Sequence, residues 1–159
     1  MKALVVYSSQ TGNTKKLAQT VYDNLDCEKE LVSVNEAPDP GDYDLVAVGF
    51  WLQAGKPDLK SLKYLDRIED SKVFLFATHG AASGSDHVAN ALSQARDCLP
   101  KATFVGSFTC QGEVNPKVLE KVKAKPEPPV RLDDAADAVG HPDGEDLTRL
   151  QKAVLEAVK

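Results

Sequence analysis

The sequence predicts a doubly wound α/β fold, a parallel sheet covered by helices on both faces. Five short apolar runs, Ala3–Tyr7, Glu30–Val34, Leu45–Phe50, Val73–Thr78 and Thr103–Cys110, alternate with segments whose apolar residues recur at helical spacing. The runs are continuously apolar instead of alternating in polarity, the pattern of strands buried on both sides, and parallel strands need crossover connections to join them. A chain of 159 residues fits one such domain, residues 1–159, with core enough to need no staples.

The first strand runs into Ser8-Ser9-Gln10-Thr11-Gly12-Asn13-Thr14, a turn of small hydrogen-bonding residues with no acid, base or thiol. A helix follows, carrying Leu17, Ala18, Val21, Tyr22 and Leu25 on one face. Beyond the third strand, Leu59, Leu62, Leu65 and Ile68 form an apolar stripe behind Asp58, a residue type that caps helix N-termini. Val88, Leu92, Ala95 and Leu99 mark a third helix, stopped by Pro100. Asp143 and Asp146 open a last helix with Leu147, Leu150, Val154 and Val158. Residues 113–141 break the rhythm: the stretch KAKPEPPVRL is Pro-rich and charged, and LDDAADAVG supports at most a short helix. This segment is expected to be an excursion between the fifth strand and the last helix, not a linker between domains.

With 42% hydrophobic and 27% charged residues, the composition is that of a globular protein. No apolar run approaches the roughly 20 residues that cross a bilayer, so no membrane association is expected. The opening MKALVVY enters a strand pattern at once and lacks the features of a secretory signal, which makes the cytoplasm the expected compartment. Cys27, Cys98 and Cys110 are odd in number and include no Cys-x-x-Cys pair, so neither a disulfide framework nor a metal site is expected. The formal charge of −5 repels a nucleic-acid backbone and favours a partner with a basic surface.

Ligands of open parallel sheets bind outside the carboxyl ends of the strands, where strand order reverses. Three loops reach that place here: SSQTGNT, WLQAGKPD from Trp51 to Asp58, and HGAASGSD from His79 to Asp86. The first lies at a helix N-terminus, where free N–H groups and the helix dipole favour an anion and hydroxyls add neutral donors; a phosphate monoester fits it. Lys15 and Lys16 are cations in a first turn, disfavoured by about 0.3–1 kcal/mol each unless an anion is near. A solvated helix face is the better account of two lysines taken alone, so the hydroxyl-rich turn carries the argument.

Other phosphate chemistries do not match. There is no Gly-x-x-x-x-Gly-Lys-Ser/Thr, and no Gly-x-Gly-x-x-Gly follows the first strand. A phosphorylated receiver domain needs acids at the ends of strands one and three, where Ser8, Ser9 and Phe50 stand. A low-molecular-weight phosphatase needs a cysteine nucleophile followed by arginine, and no cysteine here has one. The turn is read as binding phosphate without attacking it.

The run Ser9-Gln10-Thr11-Gly12-Asn13-Thr14 resembles the Ser/Thr-x-Thr-Gly-x-Thr fingerprint of flavodoxins. The resemblance covers Met1 to Gly112 and resumes in the last helix. It implies a flavodoxin-like three-layer sandwich, a five-stranded parallel sheet of order 2-1-3-4-5 with helices on both faces, and FMN as cofactor. Flavodoxin is itself a standard illustration of the strand-end rule, so the FMN location comes from the resemblance and not from topology. By resemblance, Ser9, Gln10, Thr11, Asn13 and Thr14 hold the phosphate, and Gly12 allows close approach. Trp51 covers one face of the ring, a role Phe50 or Leu52 could share, and Gly55 gives that loop freedom to reorient a peptide. Thr78, His79, Gly80 and Ala81 hold the pyrimidine edge, largely through backbone groups.

The sequence also departs from the common flavodoxin pattern. Residues 82–86 lack the aromatic that usually stacks on the outer ring face, and the excursion is foreign to the simplest members. His79 and His87 stand nearby without a catalytic assignment. The resemblance implies a low-potential carrier that shuttles electrons between redox partner proteins with basic docking surfaces, as a monomer and with no catalytic residue. Two alternatives stay open: a flavodoxin-fold NAD(P)H-dependent FMN reductase acting on a small molecule such as a quinone, nitro compound or tetrapyrrole, and a cofactor-free interaction module.

Overall fold

A computed structural model of the chain describes residues 1–9, 12–53, 56–79, 86–99, 101–112 and 140–158. Strand β1 (Lys2–Tyr7) leads through the hydroxyl-rich turn into α1 (Asn13–Asp23), and β2 (Glu28–Ser33) is followed by short 3₁₀ turns at Val34–Glu36 and Pro40–Asp42. Strand β3 (Leu45–Gln53) turns into the two-residue β4 (Lys56–Pro57), which precedes α2 (Leu59–Leu65). The chain continues through β5 (Lys72–His79), α3 (Asp86–Asp97), β6 (Thr103–Gln111) and α4 (Gly144–Ala157).

The sheet order is β2-β1-β3-β5-β6, with all these neighbours parallel. This is the expected doubly wound order once β4 is set aside. That strand pairs antiparallel with the end of β3, Leu52 opposite Pro57 and Gln53 opposite Lys56, so part of the loop expected over residues 51–58 is a hairpin.

The pleat divides the apolar strand residues between two cores. Leu4, Val6, Val46, Val48 and Leu75 meet Tyr64, Leu65, Ala95 and Leu99 on the face covered by α2 and α3. Ala3, Val5, Leu45, Ala47 and Phe76 meet Leu17, Val21, Leu150 and Val154 on the face covered by α1 and α4.

The stripe expected along α2 is buried only in part. Leu65 and Ile68 are buried, whereas Leu59 is 62% exposed. Three residues fall short of a full helical turn by about 60°, so a strict three-residue spacing drifts off the buried face. Of the excursion expected over 113–141, all but Gly140 and His141 lies outside the described residues. Among the described residues, no helix is long and apolar enough to cross a membrane, and the three cysteines are free.

Candidate functional site

The carboxyl ends of β1, β3 and β5 converge on the start of α1. Gly12 is the N-cap of α1 with φ of +92°, a left-handed conformation that glycine adopts without steric cost. Its N–H donates to Ser9 Oγ (2.9 Å), and its carbonyl accepts the first helical bond from Lys16 (3.1 Å). Among the described residues no side chain caps this helix, and its first turn contains no acid. Thr14 is buried and shares a hydrogen bond with Thr78 Oγ1 (3.0 Å), while its hydroxyl lies 3.5 Å from the Phe50 carbonyl oxygen. The helix start is thereby tied to the ends of β3 and β5. Strand β6 closes in from the other side: a Cβ placed on Gly112 would lie 2.8 Å from Asn13 Nδ2 and 3.2 Å from Thr78 Cβ, so this close approach needs glycine.

Asp58 forms the second part of the site. It is 4% exposed and accepts hydrogen bonds from Ser8 Oγ (2.7 Å), Ser61 Oγ (2.9 Å), Ser61 N (3.2 Å) and Trp51 N (3.4 Å). Its own N–H donates to the Trp51 carbonyl (3.1 Å). A carboxyl group withdrawn from water requires such donors. One side chain thus joins the end of β1, the extension of β3 and the cap of α2. Beside it lies a cleft of about 400 Å³, lined by Tyr7, Ser8, Ser9, Trp51, Asp58 and Lys60 and by the turn after β2, Ser33 to Asn35. A larger cleft of about 600 Å³, lined by Leu92, Arg96 and Phe104 among others, lies between α3 and β6 and includes none of the converging loops. The smaller one is the candidate site.

Of the expected site residues, Ser9, Gly12, Asn13 and Thr14 gather at the start of α1, and Trp51 lines the cleft. Thr78 and His79 are the buried last residues of β5, so His79, expected at the start of a loop, still belongs to the strand. Phe50 does not share the ring-covering role: its side chain is fully buried in the core on the α2 side, and only its carbonyl reaches the site. Leu52, on the same side of the pleat, packs against that core as well. This leaves Trp51 as the candidate ring cover. Gln10, Thr11, Gly55, Gly80 and Ala81 lie outside the described residues.

The sequence profile of the Flavodoxin domain matches residues 4–155. The chain belongs to the flavodoxin family. It is 42% identical over 130 residues to the flavodoxin-like domain-containing protein BilS of Clostridioides difficile strain CD3, covering 79% of this chain and 72% of that protein. Among solved structures it resembles oxidised flavodoxin 2 from Bacillus cereus, at 18% identity and a TM-score of 0.67, covering 99% and 98% of the two chains. It also resembles a flavoprotein from Lactobacillus acidophilus NCFM in complex with FMN, at 19% identity and a TM-score of 0.54, covering 68% of this chain and 92% of that one. At such identities the solved structures speak to the fold.

This flavodoxin-family chain holds a second polar cluster at the start of α4. Asp143 and Asp146 form a capping box: Asp146 N donates to Asp143 Oδ1 (3.0 Å) and Asp143 N to Asp146 Oδ2 (2.9 Å). Asp146 also meets His141 Nδ1 (2.5 Å) and the Arg149 guanidinium. Burial opposes ionisation of Asp146, yet hydrogen bonds from His141, the Asp143 backbone and Arg149 outweigh it and hold the carboxyl below its ordinary range. The hydrogen bond to Asp146 in turn holds His141 above its ordinary value, with the charges of Asp146 and Asp143 assisting against burial. On β6, burial and then the charge of Asp146 push the Cys110 thiol up to about 12. His141, Asp143 and Asp146 offer atoms within 4.8 Å of one another, but both Asp146 oxygens are already engaged, so the cluster serves as a helix cap.

Sequence reasoning missed three site features. Asp58 is legible as a cap, but its bond to Ser8 spans 50 residues and has no local signature. Gly112 had one signal, a glycine two residues after the expected fifth strand. The turn after β2 had none.

Proposed function

We propose that this protein binds FMN and carries electrons at low potential between redox partners, as a cytoplasmic monomer. The observation that carries the reading is the start of α1, which has a left-handed glycine cap, no acid and, among the described residues, no capping side chain, while Ser9, Asn13 and Thr14 stand beside it. Among the described residues nothing lies within 4 Å of where a Cβ would stand on Gly12, so the backbone there is open to close approach on that side. This donor set, neutral and rich in N–H groups, fits a phosphate.

FMN when bound supplies the electron chemistry, and the protein holds and orients it and sets its electrostatics. Ser9, Asn13 and Thr14, with Gln10 and Thr11, hold the phosphate. Trp51 covers the ring from the β3 side, and Thr78 and His79, with Gly80 and Ala81, offer backbone groups to its pyrimidine edge. Asp58 fixes Trp51 against the end of β1. Its donors Ser8, Ser61 and Trp51 are all neutral, and the positive group on the same cleft wall, Lys60, is exposed and screened by solvent. A buried negative group beside Trp51 therefore opposes further negative charge on a bound ring, which supports a low potential.

Family membership supports a flavin in general, and the FMN complex of the similar Lactobacillus acidophilus protein is in keeping with FMN in particular. The test is the visible spectrum of the purified chain incubated with excess FMN and then desalted. Retained flavin colour is expected; a colourless protein sinks the reading and favours an interaction module. The absence of an aromatic from residues 82–86 favours the reductase alternative, because it leaves one ring face more open. Steady NAD(P)H oxidation by the FMN-loaded protein would establish it.

A further inference from the structure

The net charge of −5 is unevenly placed, and its placement runs against the partner that the total alone implies. Between Trp51 and Leu65 the charged residues are Lys56, Lys60 and Lys63, all exposed, and Asp58, which is buried. The start of α2 lies at the site end, because its cap Asp58 bonds Ser8 and Trp51 and because Lys60 lines the cleft with Trp51. The exposed acids Asp66, Glu69 and Asp70 follow at the other end of α2, where Lys72 N donates to Asp44 O and β5 begins. Glu36, in the turn after β2, is the exposed acid on an element that packs against α2.

The positive end is costly by itself. A cation in a helix first turn opposes the dipole by about 0.3–1 kcal/mol, and like charges three residues apart add roughly 0.2–0.5 kcal/mol. The helical segment LKSLKYL contains no acid of its own; the buried cap Asp58 offsets part of the cost, and Lys63 stands in the last turn, so what is left falls on Lys60 and on its repulsion with Lys63. Among these lysines sits Leu59, 62% exposed, an apolar centre with a charged rim, the make-up of a recognition patch.

We infer that the face formed by Lys56, Leu59, Lys60 and Lys63 is the docking surface for an acidic protein partner. The inference rests on the proposed function for one part only, that a partner docked here exchanges electrons with a flavin beside Trp51. A basic partner, the choice of net charge alone, fits the far end of the molecule instead.

The first test titrates the protein, FMN-free and FMN-loaded, with a poly-glutamate peptide while amide signals are followed by NMR. The expected shifts fall on Lys56, Leu59, Lys60 and Lys63, fade with added salt, and weaken by about fivefold or more in Lys56→Glu/Lys63→Glu. Neither lysine lies among the proposed FMN-binding residues, so this variant keeps its FMN affinity and its melting temperature. Shifts that map elsewhere, or a poly-lysine peptide occupying this face, overturn the inference. Tighter binding of duplex DNA than of the peptide overturns the choice of a protein partner.

The second test follows oxidation of the reduced, FMN-loaded protein by ferricyanide and by hexaammineruthenium(III). Added salt is expected to slow the anionic oxidant and speed the cationic one, and the double variant to reverse both trends. Salt effects that follow the net charge overturn the inference. A protein that retains no FMN defeats the proposed function, and the peptide titration still decides the docking face.

Discussion

Helices α1 and α4 pack on the same face of the sheet and begin at the same end, yet their first turns are opposites. The start of α4 carries Asp143 as cap, Asp146 returning the capping bond, and Glu145 beside them. That of α1 has a glycine cap, no acid, and Lys15 and Lys16. The start of α2 sides with α4, since Asp58 caps it. At α2 and α4 the chain fills the helix N-terminus with its own carboxylate; at α1 no described side chain does so, and the proposed function gives that positive end to a phosphate.

The largest effect expected is on the filled end. Asp146→Ala removes the capping box and the partner of His141 and Arg149, and should lower the unfolding free energy in urea by about 2–3 kcal/mol. The folded variant should bind FMN as before, and an equal loss of FMN affinity would erase the distinction between the two helix ends. Next, Thr11→Ala should weaken FMN binding by about 1–3 kcal/mol, read by fluorescence titration, since a hydrogen bond to a charged group is lost. Unchanged affinity contradicts the phosphate assignment; Thr14, whose buried hydroxyl is engaged by Thr78, can serve a phosphate only through its N–H.

A smaller change sharpens the contrast further. Lys15→Glu gives α1 the acid that α4 already has, and should stabilise the FMN-free protein by about 0.3–1 kcal/mol while weakening FMN binding. Opposite signs are the signature; shifts in one direction would falsify the idea of a vacant anion site. The smallest effect is one of pH. His141 is raised from 6.5, so its contribution is complete below that pH and fades as pH rises through the folded value. Asp146 is lowered from 3.8, so its contribution is complete above that pH and fades as pH falls through the folded value. The start of α4 is therefore most stable between those ordinary values. His141→Gln should flatten the decline on the alkaline side of a urea-midpoint profile and weaken the one on the acid side, where the Asp143 backbone and Arg149 still hold Asp146 low.

The central strands were legible because a strand buried on both faces is apolar at nearly every position, and the ends of all five expected runs lie within three residues of those observed, the largest gap being the extension of β3 to Gln53. The phosphate turn was legible because its chemistry is local: hydroxyls, amides and one glycine before a helix. Strand β4 was not, since a two-residue strand containing Pro57 exists only by pairing with β3. Phe50 looked equivalent to Trp51 by position, but β3 alternates, and Phe50 follows Val46 and Val48 into the core. Leu59 counted as core by spacing and stands exposed because three-residue steps rotate off the face. Asp58 shows the deeper limit: its cap is written next to it, while its hold on Ser8 belongs to the fold as a whole.

That hold has a mechanical consequence. An electron carrier changes charge without changing shape, because every atom that must move raises the barrier to both gaining and losing the electron. The Asp58 side chain pins three segments to one point: the strand before the phosphate turn, the strand bearing Trp51 and the cap of α2. None of these walls can shift without dragging the other two. These three segments of the cleft wall are joined before anything enters it, so a ligand spends little of its binding energy on ordering them.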